Sequence, residues 1–203
     1  MNDQEYLKQI SDEVRSEKKS VTGFMSSTAF KVGVGGLVAF IVLAIFGTIL
    51  SSGKVDLKTR CAALRLRLTN TAEVISDYQN NIKSSALRSN SASLRAVLSD
   101  TSNKLLGYLE EKYSLKDGRE SKDLKEEAKL NKENLEASLF EAKINGILDR
   151  MFAHEMAYEV SLLITEETSI YNAGDSALKS IMETSLTSLK SLHEIFDNYS
   201  ETK

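Results

Sequence analysis

Apolar and polar positions follow two different rules on either side of Leu50. From Val32 to Leu50 nineteen consecutive residues carry no charge. At 1.5 Å per residue such a helix covers roughly 28 Å, close to the ~30 Å hydrocarbon thickness of a bilayer, which predicts one transmembrane helix over 32–50. Residues 1–31 before it read as a short polar tail, where only Leu7, Ile10 and Val14 share a helical face. Beyond it the apolar positions step by four and three, the period of helices with one buried stripe.

The first such series is Leu57, Cys61, Leu64, Leu68, Thr71, Ile75, Tyr78 and Ile82; the second is Leu87, Ser91, Leu94, Leu98, Thr101, Leu105 and Tyr108. Clustered Ser and Asn between them compete for backbone hydrogen bonds and place a turn between Ile82 and Ser93. Asp-Gly within the charge cluster 115–122 marks a loop. A third helix is expected from Asp123 to Tyr171, apolar on both sides after Leu139. Asn172-Ala-Gly174-Asp175 then ends it, Gly174 suiting a left-handed cap and Asp175 the N-cap of the next helix. The last series is Leu178, Met182, Ser185, Leu189, Leu192, Phe196 and Tyr199. The fold class this predicts is all-α: a single N-terminal transmembrane helix, then an antiparallel four-helix bundle over 54–203 with helices at about 54–82, 93–113, 123–171 and 175–200. The second and fourth helices also resemble each other at an offset of 84, Leu94-Arg95 answering Leu178-Lys179, which points to a duplicated helical hairpin.

Composition agrees with this picture and removes several functions. There is no Pro and no Trp in 203 residues, and the net charge is -3, so no whole-chain basic field exists and nucleic acid is not an expected partner. The single cysteine, Cys61, excludes an intramolecular disulfide and a multi-Cys metal site. It occupies a core position, where a free thiol behaves as a small hydrophobe, the alternative being an intermolecular disulfide beside the membrane. The apolar run lacks a convincing small-x-small cleavage site and is expected to stay as a signal anchor. Basic residues balance across it, so charge alone does not orient it; translocation of long domains regardless of charge favours the helical domain outside. Gly35-x-x-x-Ala39 is a small-xxx-small pair, the packing element expected if the span forms a homodimer.

Candidate chemistry is sparse. His154 and His193 are the two histidines, with Glu155 and Glu159 beside the first. A carboxylate-bridged metal site in a bundle needs Glu-x-x-His from two helices. Here Met151 precedes His154 and Lys190 precedes His193 at that spacing. The four residues are therefore the metal-site candidates of an alternative reading, with boundary positions as the expectation. No nucleophile elbow and no phosphate-cradling glycine loop occurs, so neither catalysis nor a cofactor is expected. Lys58, Arg60, Arg65 and Arg67, just past the span, would either meet lipid phosphates or form a solvated face.

Leu148-Asp-Arg-Met-Phe152, then Met156 and Glu159, then Gly174-Asp175-Ser-Ala-Leu178-Lys179 and Leu186-Thr-Ser-Leu189-Lys190 share a rhythm. The stretch 148–196 resembles the carboxy-terminal half of a bacterial family of periplasmic domains of unknown function with a ferritin-like four-helix bundle. Two of that family's histidines fall here on Val160 and Leu192. The resemblance implies an extracytoplasmic location and a bundle topology, and no established activity. The function expected is thus a module anchored in the cytoplasmic membrane, structural or interacting at the cell envelope, in contact with the lipid bilayer and an unidentified protein partner. The alternatives are a ferritin-like metal-binding or oxidoreductase bundle and a sensory bundle signalling through the span.

Overall fold

A computed structural model describes residues 56–199. The tail, the span 32–50 and the Gly35/Ala39 pair lie outside the described residues. Among the described residues no helix is long and apolar enough to cross a membrane.

The described chain is all-α. It forms α1 (Leu57–Tyr78), a short 3-10 turn (Gln79–Asn81), α2 (Ser85–Tyr113), α3 (Lys122–Ile144), α4 (Leu148–Ala173) and α5 (Ser176–Asp197). Side-chain caps start four of the five helices. Asp56, Ser84, Ser121 and Asp175 each accept a hydrogen bond from the backbone N–H three residues on, satisfying a donor that the first helical turn leaves free.

One expectation is corrected here: the continuous helix over 123–171 is two helices. Gly146 takes a positive φ of 72°, which a residue without Cβ adopts at no steric cost. Ile147 N donates to Ala142 O at 3.0 Å and Gly146 N to Lys143 O at 3.2 Å. That pair of bonds is a Schellman ending, and it reverses the chain between α3 and α4. Two smaller corrections follow. The α1–α2 turn precedes Ser85, at the edge of the stretch expected to hold it, so α2 begins eight residues before Ser93. Gly174 is extended, with φ -81°. Space favours glycine there, because a Cβ would lie 3.1 Å from both Ile170 O and Leu178 Cβ, so a neighbour would have to give by a few tenths of an ångström.

Helices α1, α2, α5 and α4 pack in a ring, each against the next, and α3 lies outside it against α1 and α4. Cross-helix bonds give the directions. Arg60 of α1 donates to Ser169 near the end of α4, while backbone N–H groups just past α1 reach Asp149 at its start, so these two helices are antiparallel. Asn70, Glu73 and Tyr78 of α1 meet Ala128, Lys132 and Glu136 of α3 in the same order, so α3 runs parallel to α1. The starts of α1 and α4 are 91 residues apart, as are those of α2 and α5. In that register Ser85-Ala-Leu-Arg88 aligns in sequence with Ser176-Ala-Leu-Lys179. The two hairpins therefore correspond one heptad away from the offset of 84.

The core is the inside of the ring. Leu64, Leu68 and Ile75 of α1, Leu87, Leu94, Leu98 and Leu105 of α2, Phe152, Met156 and Leu163 of α4, and Leu178, Met182, Leu189 and Phe196 of α5 are buried in it. Phe152 and Phe196 meet edge to face across the α4–α5 seam. By contrast α3 buries only Leu135, Leu139 and Ala142, and leaves Leu130, Phe140 and Ile144 at least half exposed.

Candidate functional site

Charge is brought into the interior mainly on α1 and α4. The run Leu64-Arg-Leu-Arg-Leu68 alternates apolar and basic residues on a helix. A helix that packs on three sides, against α2, α3 and α4, must bury some of those arginines. Arg65 and Arg67 are accordingly 6% and 8% exposed. Each is retained with a carboxylate, since an unpaired buried charge is far costlier than a paired one. Arg65 donates to Glu120, buried in the α2–α3 loop, and to Asp117 at 2.6 Å. Arg67 donates through Nε and Nη2 to Glu159 of α4 at 3.1 and 2.9 Å, and its Nη1 lies 3.9 Å from Glu166 Oε2.

Two carboxyls one position apart on α4 then face different seams. Glu166 looks toward α1 and α3. Burial pushes it up to about 7, opposed by the Arg67 guanidinium and reinforced by Glu159 and by Glu127 of α3. Glu127 is itself raised, first by burial, with Arg67 opposing. The Tyr158 hydroxyl beside this group is buried without a hydrogen-bond partner. Glu167 looks toward α5 and is 0% exposed. Ser185 Oγ donates to its Oε1 at 2.8 Å, and Oε2 has no partner. Burial pushes this carboxyl up to about 8, despite the Ser185 bond. Both groups thus hold protons near neutrality inside helix seams.

Another buried carboxylate has a different task. Asp149, in the first turn of α4, accepts the backbone N–H groups of Lys83 and Ser84 at 2.9 and 2.7 Å. It ties the α1–α2 turn to the start of α4, satisfying donors that the turn leaves free. At the opposite end Asp175 accepts from Lys112 and Tyr108 of α2, and those bonds, Lys112 foremost, hold its carboxyl down at about 2.

Of the metal-site candidates only Glu159 belongs to these seams, where Arg67 holds it. His154 is exposed on α4 and His193 half-buried on α5. Glu155 accepts from Ser138 of α3 at 2.6 Å. Among the described residues no group of three or more His, Cys, Asp or Glu is placed to hold a metal ion. Cys61 is a free, fully buried thiol, pushed up to about 12 by burial. Nor do Arg65 and Arg67 form the lipid-facing or solvated set expected for them, because both are spent on internal ion pairs.

The residues that sequence reasoning passed over are Glu120, Asp149, Glu166 and Glu167. Glu167 had a readable signal. It falls in phase with Leu163 and Ile170, so an acidic residue occupies a core position of the α4 stripe. No protein-family model, curated protein or solved structure matches the chain.

Proposed function

We propose that this chain is a single-pass membrane protein that holds its helical domain on the outer side of the cytoplasmic membrane, as a structural or interaction module of the cell envelope. The observation that carries the reading is the uncharged stretch 32–50, long enough for a bilayer, six residues before α1 begins. The Gly35/Ala39 pair would let two such spans approach, giving a homodimer through the membrane. The ring of α1, α2, α5 and α4 is read as the antiparallel four-helix bundle of the module, with α3 added outside it.

The organisation of the polar interior supports a module that binds or braces. Several of its buried ionic groups join separate elements: Arg65 to Glu120 of the α2–α3 loop, Arg67 to Glu159 of α4, and Asp149 to the α1–α2 turn. Groups used this way fix which helices pack together. The likeness of residues 148–196 to a periplasmic bundle family supports the outward orientation.

Reporter fusions at each terminus, read with alkaline carbonate extraction of membranes, test the proposal. The chain is expected to stay with the membrane pellet, with an amino-terminal reporter active inside and a carboxy-terminal one active outside. Release into the carbonate supernatant would refute the anchor; a carboxy-terminal reporter active only inside would refute the orientation.

A further inference from the structure

Helix α3 is held differently from the other four. Its three buried side chains, Leu135, Leu139 and Ala142, all lie in its second half. In its first half Leu124 is partly buried against the core, and two polar ties reach α1: Asn70 Nδ2 donates to Ala128 O at 2.8 Å and Lys132 to Glu73 at 2.7 Å. Beside that half sits a cluster of charges. Arg67 comes from α1, Glu127 from α3 itself, and Glu159 and Glu166 from α4, with Tyr158 beside them. Three carboxyls thus converge on the buried Arg67 guanidinium, with Arg60 of α1 the second cation acting on Glu166.

We propose that α3 is a strap whose docking on the α1–α4 seam depends on the charge state of Glu166 between Arg67 and Glu127, so that it loosens as pH rises and uncovers the seam beneath. The reasoning is electrostatic and does not depend on the membrane reading. With Glu166 neutral, the seam holds one carboxylate, Glu159, in direct contact with Arg67. Once Glu166 ionises, a second carboxylate shares the same guanidinium while Glu127 of α3 faces both, and the region is shielded from water by α3. Like charges at low local dielectric repel strongly. Lifting α3 removes Glu127 and admits solvent to Glu166, which relieves both costs. The strap is attached more thinly than the other helices, by three buried side chains and by the polar ties of Ala128, Lys132 and Glu136 to α1 and of Ser138 to Glu155 of α4. Burial is also what raises Glu166 to about 7 and Glu127 above its ordinary range, in the direction this linkage requires. The sign of the Glu166 contribution follows: it favours docking most below the ordinary carboxyl range, weakens as pH rises to about 7, and levels off above it.

Hydrogen exchange of the full chain in mild detergent, at pH 5 and pH 8 and corrected for intrinsic exchange, tests the strap. Protection of α3 is expected to fall by about tenfold or more between the two, since each pH unit within the window contributes up to about tenfold. The fall should exceed that in α2 and α5. Glu166→Gln should hold α3 protection nearly level across the range, whereas Glu167→Gln, on the other seam, should leave the fall in place. If Glu166→Gln does not fold, Glu127→Gln serves, and should cut the fall at least about threefold. An α3 protection that is the same at both pH values overturns the proposal. So does a fall that survives Glu166→Gln, one that Glu127→Gln leaves undiminished, or one shared equally by all five helices.

Discussion

Replacing Glu167 by Gln should make the protein more stable at pH 8 and remove much of the pH dependence of its stability. Glu167 lies wholly out of solvent on the α4–α5 seam, with one hydrogen bond, from Ser185 at 2.8 Å. Burial raises its carboxyl from the ordinary 4.5 to about 8, while in the unfolded chain it titrates near the ordinary value. Below about 4.5 both states are protonated and the group costs nothing. Between 4.5 and 8 the folded state keeps a proton that the unfolded chain has released, so stability declines as pH rises through that window. Above it the cost is constant. Over the whole window linkage sets a ceiling of about 5 kcal/mol. Gln keeps the shape and can accept from Ser185, but its amide nitrogen takes the place of an oxygen without a partner, a penalty of about 1–3 kcal/mol. The net expectation is a gain of about 2 kcal/mol at pH 8 and a small loss, about 1 kcal/mol, at pH 5. Urea unfolding of the full chain in mild detergent, followed by far-ultraviolet circular dichroism at pH 5, 6, 7 and 8, measures both. Glu166 contributes its own slope, but it is common to the two proteins. Stability curves for variant and parent that run parallel from pH 5 to pH 8 would refute the reasoning.

Two glycines should respond to the same substitution with opposite signs. Gly174→Ala is expected to cost about 1–2 kcal/mol, because its Cβ would press on the Ile170 carbonyl and Leu178 at 3.1 Å. Gly107→Ala, within α2 with nothing inside 4 Å, should gain about 0.5–1 kcal/mol. Thermal unfolding of the pair decides whether space sets the sign. Asp149→Asn leaves one oxygen to serve two backbone donors, Lys83 N and Ser84 N, and should cost about 1–3 kcal/mol by urea titration. Cys61, buried and raised to about 12, should not react with an aromatic disulfide reagent in the native protein and should react fully in 6 M guanidinium; fast native reaction would show that the α1 core is open.

How legible the fold was depended on whether burial followed a single stripe. The series on α2 is buried at every position, Leu87 through Tyr108, and that on α5 is buried from Leu178 through Phe196. One face of each is covered, so the 4-3 period carries the information. The third helix failed because Asn145-Gly146 sits inside an apolar run that continues from Leu139 to Phe152. Continuity of hydrophobicity hid a Schellman ending that the Asn-Gly pair could have announced. It also hid that Ile144, apolar and in the run, is 69% exposed. The interior polar groups were harder to see for a physical reason. Arg65 and Arg67 are buried because α1 is packed on three sides, a fact of topology that no local period reports. Their partners lie 52 to 99 residues away in sequence. Glu167 is the exception, since its phase with Leu163 and Ile170 places an acid in the stripe.

The central claim, that the stretch 32–50 is an anchor and the helical domain lies outside the membrane, is tested most directly by thiol accessibility. A chain carrying Cys61→Ala and Ser99→Cys has its one thiol at an exposed position of α2. Treating intact spheroplasts with a membrane-impermeant maleimide should label it as fully as treating the lysate. Labelling that appears only after lysis would contradict the account.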